Sequence, residues 1–197
     1  MSTDKGFAEF QDIYQFARNS TGMKLNHENA ERFALHWARE YSNNNFETFK
    51  DVYRYARQFN GMNLSHEVAV DFALEWVKDY ADRDFEKFKN AFRFASNPGG
   101  MNLYYAHAVQ FAYEWVRDHA NRDFEKFMEV FRYARTPDGM NLNFEYAVLF
   151  ALQWVRDYSK RDFEKFKEFY RYARSPGGMN MTYEAAKTFA FRKLLDG

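Results

Sequence analysis

Apolar residues recur along the segment FEKFMEVFRYAR as Phe124, Phe127, Val130, Phe131 and Ala134. Spacings of three, four and seven put these side chains on one face of a helix. The same register gives Phe85, Phe88, Ala91, Phe92 and Ala95 before it, and Phe163, Phe166, Phe169, Tyr170 and Ala173 after it. A second stripe follows each of these. In the fourth copy it reads Ala147, Phe150, Ala151, Trp154, Val155 and Tyr158, at i, i+3, i+4, i+7, i+8 and i+11. Two amphipathic helices are therefore predicted per period. The period does not slip: Met23, Met62, Met101, Met140 and Met179 stand 39 residues apart throughout. A constant period in this range marks a repeat array rather than one or two independent globular domains.

Polar positions mark where the helices begin and end. Asn45, Asp84, Asp123 and Asp162 stand just before the first helices, where a side-chain oxygen can accept a hydrogen bond from a free amide of the first turn. The first helix stops at TPDG, NPGG or SPGG. Proline cannot continue a helix, and glycine is expected to supply the left-handed residue that closes it. Asn26, Ser65, Asn143 and Thr182 are the expected N-caps of the second helices, with Tyr104 as the exception in the third copy. In the turn between, Asn63, Asn102, Asn141 and Asn180, with Lys24 in the first copy, are expected to stabilise the bend through side-chain bonds.

A helix pair of this kind cannot bury both of its apolar stripes alone, so neighbouring pairs must stack. The predicted fold is all-α: a right-handed α-solenoid of five tandem 39-residue helix-turn-helix repeats, ten helices in all, forming one repeat domain over 1–197. The repeats run at about 7–45, 46–84, 85–123, 124–162 and 163–197. The column Val70, Val109, Val148 ends in Glu31 and Lys187, and the column Trp37, Trp76, Trp115, Trp154 ends in Lys193, so the terminal copies read as caps. The unit resembles HEAT and tetratricopeptide arrays in general form. The W-x-x-L-G-x-x-Y pattern of the tetratricopeptide unit is missing, and the resemblance implies no functional residue.

The aromatic load is high, with 23 Phe, 14 Tyr and 4 Trp. Most of these rings fall on the buried stripes, so their expected role is packing, with Tyr and Trp polar atoms reaching a groove or water. Basic and acidic side chains number 28 each, which weakens the case for a polyanion ligand because such binding needs a cationic excess. No apolar run approaches bilayer length, and MSTDKGF lacks a signal-peptide core, so no membrane association and a cytoplasmic location are expected. The absence of cysteine excludes disulfides, thiolate zinc sites and a cysteine nucleophile.

Nothing in the remaining pattern points to catalysis. His27 and His66 share a column while His36, His107 and His119 fall in three others, with no HExxH spacing around any of them. The glycine pairs follow no strand and lack a phosphate-loop signature. Arg54, Arg93, Arg132 and Arg171 are expected to pair with nearby acids such as Asp51, Glu129 and Glu168. The chain is therefore read as a non-enzyme with no metal or cofactor.

Comparison of the copies with one another picks out a candidate surface. The exposed positions of the first helix keep their type, as in Glu47, Glu86, Glu125 and Glu164. Three columns of the second helix change freely: Asn29, Val68, His107, Tyr146, Ala185; then Arg32, Asp71, Gln110, Leu149, Thr188; then His36, Glu75, Glu114, Gln153, Arg192. They share one helix face, opposite the alanine and tryptophan stripe. Asp71, Glu75, Gln110, Glu114, Tyr146, Leu149 and Gln153 are the expected partner-binding residues, for a protein or peptide. Plain drift of exposed positions is the competing explanation. The alternative functions are a single-stranded RNA reader with one unit per base, or a structural or designed array without a ligand.

Overall fold

The structure, a computed structural model, describes residues 3–196. Among them the chain forms ten helices and no strand. These are α1 (Thr3–Arg18), α2 (His27–Glu40), α3 (Phe46–Arg57), α4 (His66–Asp79), α5 (Phe85–Ser96), α6 (Tyr105–Asp118), α7 (Phe124–Arg135), α8 (Phe144–Asp157), α9 (Phe163–Arg174) and α10 (Tyr183–Asp196). The architecture is an all-α helical repeat of the solenoid class. The helices of the hairpins α1/α2, α3/α4, α7/α8 and α9/α10 pack against each other. Two compact units are present, Met1–Lys89 and Asn90–Gly197.

The caps act where the polar pattern puts them. The Oδ1 of Asn45 accepts from the Thr48 amide at 3.2 Å, and that of Asp123 from the Lys126 amide at 2.9 Å. Asn26 and Asn143 do the same for α2 and α8, at 2.8 and 3.0 Å.

The turn between helices corrects the expected division of labour between glycine and asparagine. The left-handed residues are Lys24, Asn63, Asn102, Asn141 and Asn180, with φ from 49° to 57°, and no described glycine has positive φ. Asparagine tolerates this region better than most residues that carry a Cβ. Glycine is required two residues earlier for another reason. A Cβ on Gly22, Gly61, Gly100, Gly139 or Gly178 would lie 1.9–2.0 Å from a carbonyl oxygen at the end of the first helix, that of Tyr133 in the case of Gly139. The approach is close because the turn folds back on the helix: Met140 N donates to Tyr133 O at 3.0 Å, and Leu142 N to Ala134 O at 2.8 Å.

A guanidinium fastens four of the five turns. Nη1 of Arg18, Arg135 and Arg174 donates to the carbonyl of Leu25, Leu142 and Met181 at 2.9, 2.7 and 2.7 Å, and Arg57 makes the same bond to Leu64. The third copy has Ser96 there, whose hydroxyl turns back to Phe92 O at 2.8 Å. Its second helix also lacks a side-chain cap, since Tyr104 makes no such bond. Restoring the cap with Tyr104→Asn should stabilise the protein by about 1 kcal/mol. A denaturant titration reads this directly, and an unmoved midpoint would show that the cap is not limiting in this turn.

The four tryptophans are buried and seat each second helix on the first helix of the next copy. The Trp37 ring lies 4.9 Å from Phe46 and 5.2 Å from Phe49. Trp154 lies 4.6 Å from Phe163 and 5.2 Å from Phe166. The indole Nε1 of Trp37 and of Trp154 is buried without a hydrogen-bond partner, so the expected reach of tryptophan to a groove or water does not hold for these two.

The outer face of the first helices is a seam between copies. Lys50 is buried and reaches Glu47 at 2.5 Å and Asp12 of the preceding copy at 3.3 Å. Glu129 takes Lys126 at 2.6 Å and Lys167 of the following copy at 3.3 Å. Arg54 pairs with Asp51 as expected, at 3.6 Å, but Arg132 and Arg171 lie over the rings of Phe94 and Tyr133, at 5.3 and 5.5 Å. The expectation that the arginine column pairs along its own helix therefore holds for Arg54 and is corrected for Arg132 and Arg171. The last copy is also less covered than its charged positions suggest: Met179 is 43% exposed against 6% for Met140, with Tyr172 and Leu195 exposed too. Glu31 and Lys193 are exposed as expected of end positions, but the cap at the last copy is partial.

Candidate functional site

The three variable columns sit on the solvent side of the second helices, because the apolar stripe of each helix faces its own hairpin partner and the next copy. All their positions are exposed except Glu114, which is half-buried. In the unit Met1–Lys89, Asp71 and Glu75 lie one turn apart on α4. Desolvation by neighbouring side chains, although the residue as a whole is exposed, and then the Asp79 carboxylate push the Glu75 carboxyl above its usual range. Arg32 on α2 is engaged with Glu28 at 3.0 Å. In the unit Asn90–Gly197, Gln110 Nε2 donates to Glu114 Oε1 at 3.0 Å, so these two candidates on α6 hold each other.

The fourth copy differs in kind. Tyr146 and Leu149 are 62% and 61% exposed, a large apolar surface to leave in water. With Leu142, Phe150 and Gln153 they form one wall of a cavity of about 450 Å³ between α8 and α10. Tyr183, Glu184 and Lys187 of the fifth copy form the other wall. Lys187 Nζ is 2.8 Å from Glu184 and lies over the Tyr183 ring at 5.2 Å, so the polar edge is a closed ion pair. Burial, chiefly, pushes the Tyr183 hydroxyl up to about 12, which keeps it a neutral donor. The structure thus brings Tyr146, Leu149 and Gln153 together in one cavity, while Asp71, Glu75, Gln110 and Glu114 stand outside its lining.

Sequence reasoning missed Leu142, Tyr183, Glu184 and Lys187. The signal for Lys187 was present, since lysine breaks the valine column there, but it was attributed to capping. An apolar floor with an amide and an ion pair at its rim suits one bulky apolar side chain flanked by backbone polar groups. Among the described residues no group of three His, Asp or Glu side chains is placed to hold a metal ion, and no helix is long and apolar enough to cross a membrane. Comparison with protein-family models, curated proteins and solved structures finds no match to this chain.

Proposed function

We propose that the chain is a non-enzymatic binding module that takes a peptide segment of a protein partner in the groove between α8 and α10. The observation that supports this is the cavity beside Tyr146 and Leu149, which adjoin it as exposed apolar side chains on an ordered helix rather than on a loop. An apolar anchor of the partner would displace water from this cavity, while Gln153 and the Glu184–Lys187 pair would set register through hydrogen bonds. The single lysine at the rim is neutralised by Glu184 at 2.8 Å, so the groove offers a phosphate backbone no continuous positive track, which favours peptide over single-stranded RNA.

Selection of displayed peptides on the immobilised protein tests the reading. Enriched peptides should share one bulky apolar residue. The variant Y146A/L149A/Q153A should bind them at least about tenfold more weakly, as loss of interface anchors does. Its thermal unfolding should be unchanged, because all three side chains are exposed. Equal binding by parent and variant would remove the groove as the site.

A further inference from the structure

The first turn departs from the other four in a consistent direction. Where the later copies carry Phe59, Pro98, Pro137 and Pro176, the first has Ser20; where they carry Asn60, Gly99, Asp138 and Gly177, it has Thr21. The left-handed position is Lys24 at φ 57°, although asparagine fills it in every other copy. Lysine has no special tolerance for that conformation, and strained backbone that persists tends to mark a functional position. Across from this turn His66 stands where the third to fifth copies have Tyr105, Phe144 and Tyr183.

These departures meet in one cavity of about 520 Å³ within the unit Met1–Lys89. Ser20, Thr21, Lys24, Arg54, Arg57 and His66 are among its lining residues, and no carboxylate is. Two of the cations are held in place. Arg57 is fastened by its Nη1 to the Leu64 carbonyl, and Arg54 lies 5.4 Å above the Phe16 ring. Arg54 also pairs with Asp51, at a long 3.6 Å, and Glu67 lies outside the lining but close enough to interact with Arg57 and His66. The His66 ring is positioned by Tyr53, whose hydroxyl is 3.0 Å from Nδ1. Carbonyls at the end of α1 would repel an anion, but they are already used inside the turn. Phe16 O accepts from Met23 N at 3.1 Å, Ala17 O from Leu25 N at 2.8 Å, and Gln15 O from Asn19 N at 2.8 Å.

We propose that this cavity is an anion site whose ligand is a phosphoryl group, free or as a phosphate monoester. Guanidinium groups present paired N–H donors that match two oxygens of a tetrahedral anion, and the lysine adds a mobile point charge. The Ser20 and Thr21 hydroxyls donate to Asn19 Oδ1 at 3.4 and 3.2 Å, and turning from it they would supply neutral donors for the remaining oxygens. Three cations against no lining carboxylate suit a dianion better than a single carboxylate. The site shares no residue with the groove between α8 and α10 and does not depend on that reading.

Calorimetric titration of the full chain with inorganic phosphate, and separately with a phosphoserine peptide and its unphosphorylated form, tests the proposal at constant ionic strength set with chloride. Saturable one-to-one binding of phosphate or of the phosphorylated peptide is expected, and the stronger of the two identifies the source of the phosphoryl group. Lys24→Asn installs the residue used by the other four turns. It should weaken that binding at least fivefold while leaving the melting temperature equal or higher. A purely structural lysine would give the second result without the first. If neither phosphate nor the phosphopeptide binds above the chloride background, or if Lys24→Asn binds as tightly as the parent, the proposal is overturned.

Discussion

Trp115→Ala should cost about 3–5 kcal/mol, the range for truncating a large buried aromatic side chain. The ring is 1% exposed and lies 4.6 Å from Phe124, 5.0 Å from Phe127 and 6.2 Å from Phe111. Phe124 and Phe127 belong to α7, the first helix of the next copy. The cavity left by the indole therefore opens at a seam between copies rather than inside one hairpin. In a repeat array stability is a sum over units and their interfaces, so the loss should spread to α7. The melting temperature should fall by roughly 10 °C, and amide protons of α7 should exchange faster than in the parent. Phe59→Ala removes a ring of similar size that is 89% exposed and should change little, which controls for the loss of an aromatic residue as such. An unchanged melting temperature for Trp115→Ala would mean that the indole contributes no packing energy at the seam.

What could be read in advance divides along the range of the interactions. The helix starts were legible because Asn45 and Asp123 act within three residues of themselves, bonding the Thr48 and Lys126 amides at 3.2 and 2.9 Å. Exposure of the variable columns was legible for the same reason, since a 3.6-residue period assigns faces from sequence alone. Partners set by stacking were not. Glu129 is three residues from Arg132 and looks like its partner, yet it takes Lys126 on its own helix and Lys167, 38 residues on. Arg132 instead lies over Phe94 of the preceding copy, at 5.3 Å. The turn was ambiguous in another way. Glycine and asparagine both accept left-handed geometry, so spacing cannot tell which of Gly139 and Asn141 adopts it.

The seam sets the first-helix face apart from the variable stripe of the second helices. The first-helix face that keeps its residue types carries ion pairs. That face is constrained: Lys50 is buried between Glu47 and Asp12, and Lys167 bridges Glu164 and Glu129. The bonds between copies run from Lys50 to Asp12 and from Lys167 to Glu129, whereas the invariant Glu47, Glu86 and Glu164 each hold a lysine of their own helix. The candidate site is marked by the cavity beside Tyr146 and Leu149 rather than by the variability of the columns. That cavity draws Leu142 from a turn and Tyr183 from the next copy, which no single-helix pattern could place together.

The glycine pair of the last turn offers the sharpest test of why the turns are built as they are. Gly177 and Gly178 are neighbours of the same residue type, and neither has positive φ. A Cβ on Gly178 would lie 2.0 Å from the Tyr172 carbonyl oxygen and 2.7 Å from Ser175 Oγ, whereas one on Gly177 meets nothing within 4 Å. Alanine at 178 must push the turn off the end of α9. That displacement breaks the bonds from Met179 N to Tyr172 O at 3.1 Å, Asn180 N to Ser175 O at 3.1 Å and Met181 N to Ala173 O at 2.8 Å. At about 1 kcal/mol for each bond, Gly178→Ala should cost about 3 kcal/mol and loosen α10 against α9. Gly177→Ala fits the existing backbone and narrows the unfolded ensemble, so it should be neutral or stabilise by up to about 1 kcal/mol. Chemical denaturation of the two variants, with amide exchange of α10 as the local readout, separates them. Equal destabilisation by both alanines would mean that the pair serves chain flexibility, and that the close approach to Tyr172 is not what requires glycine.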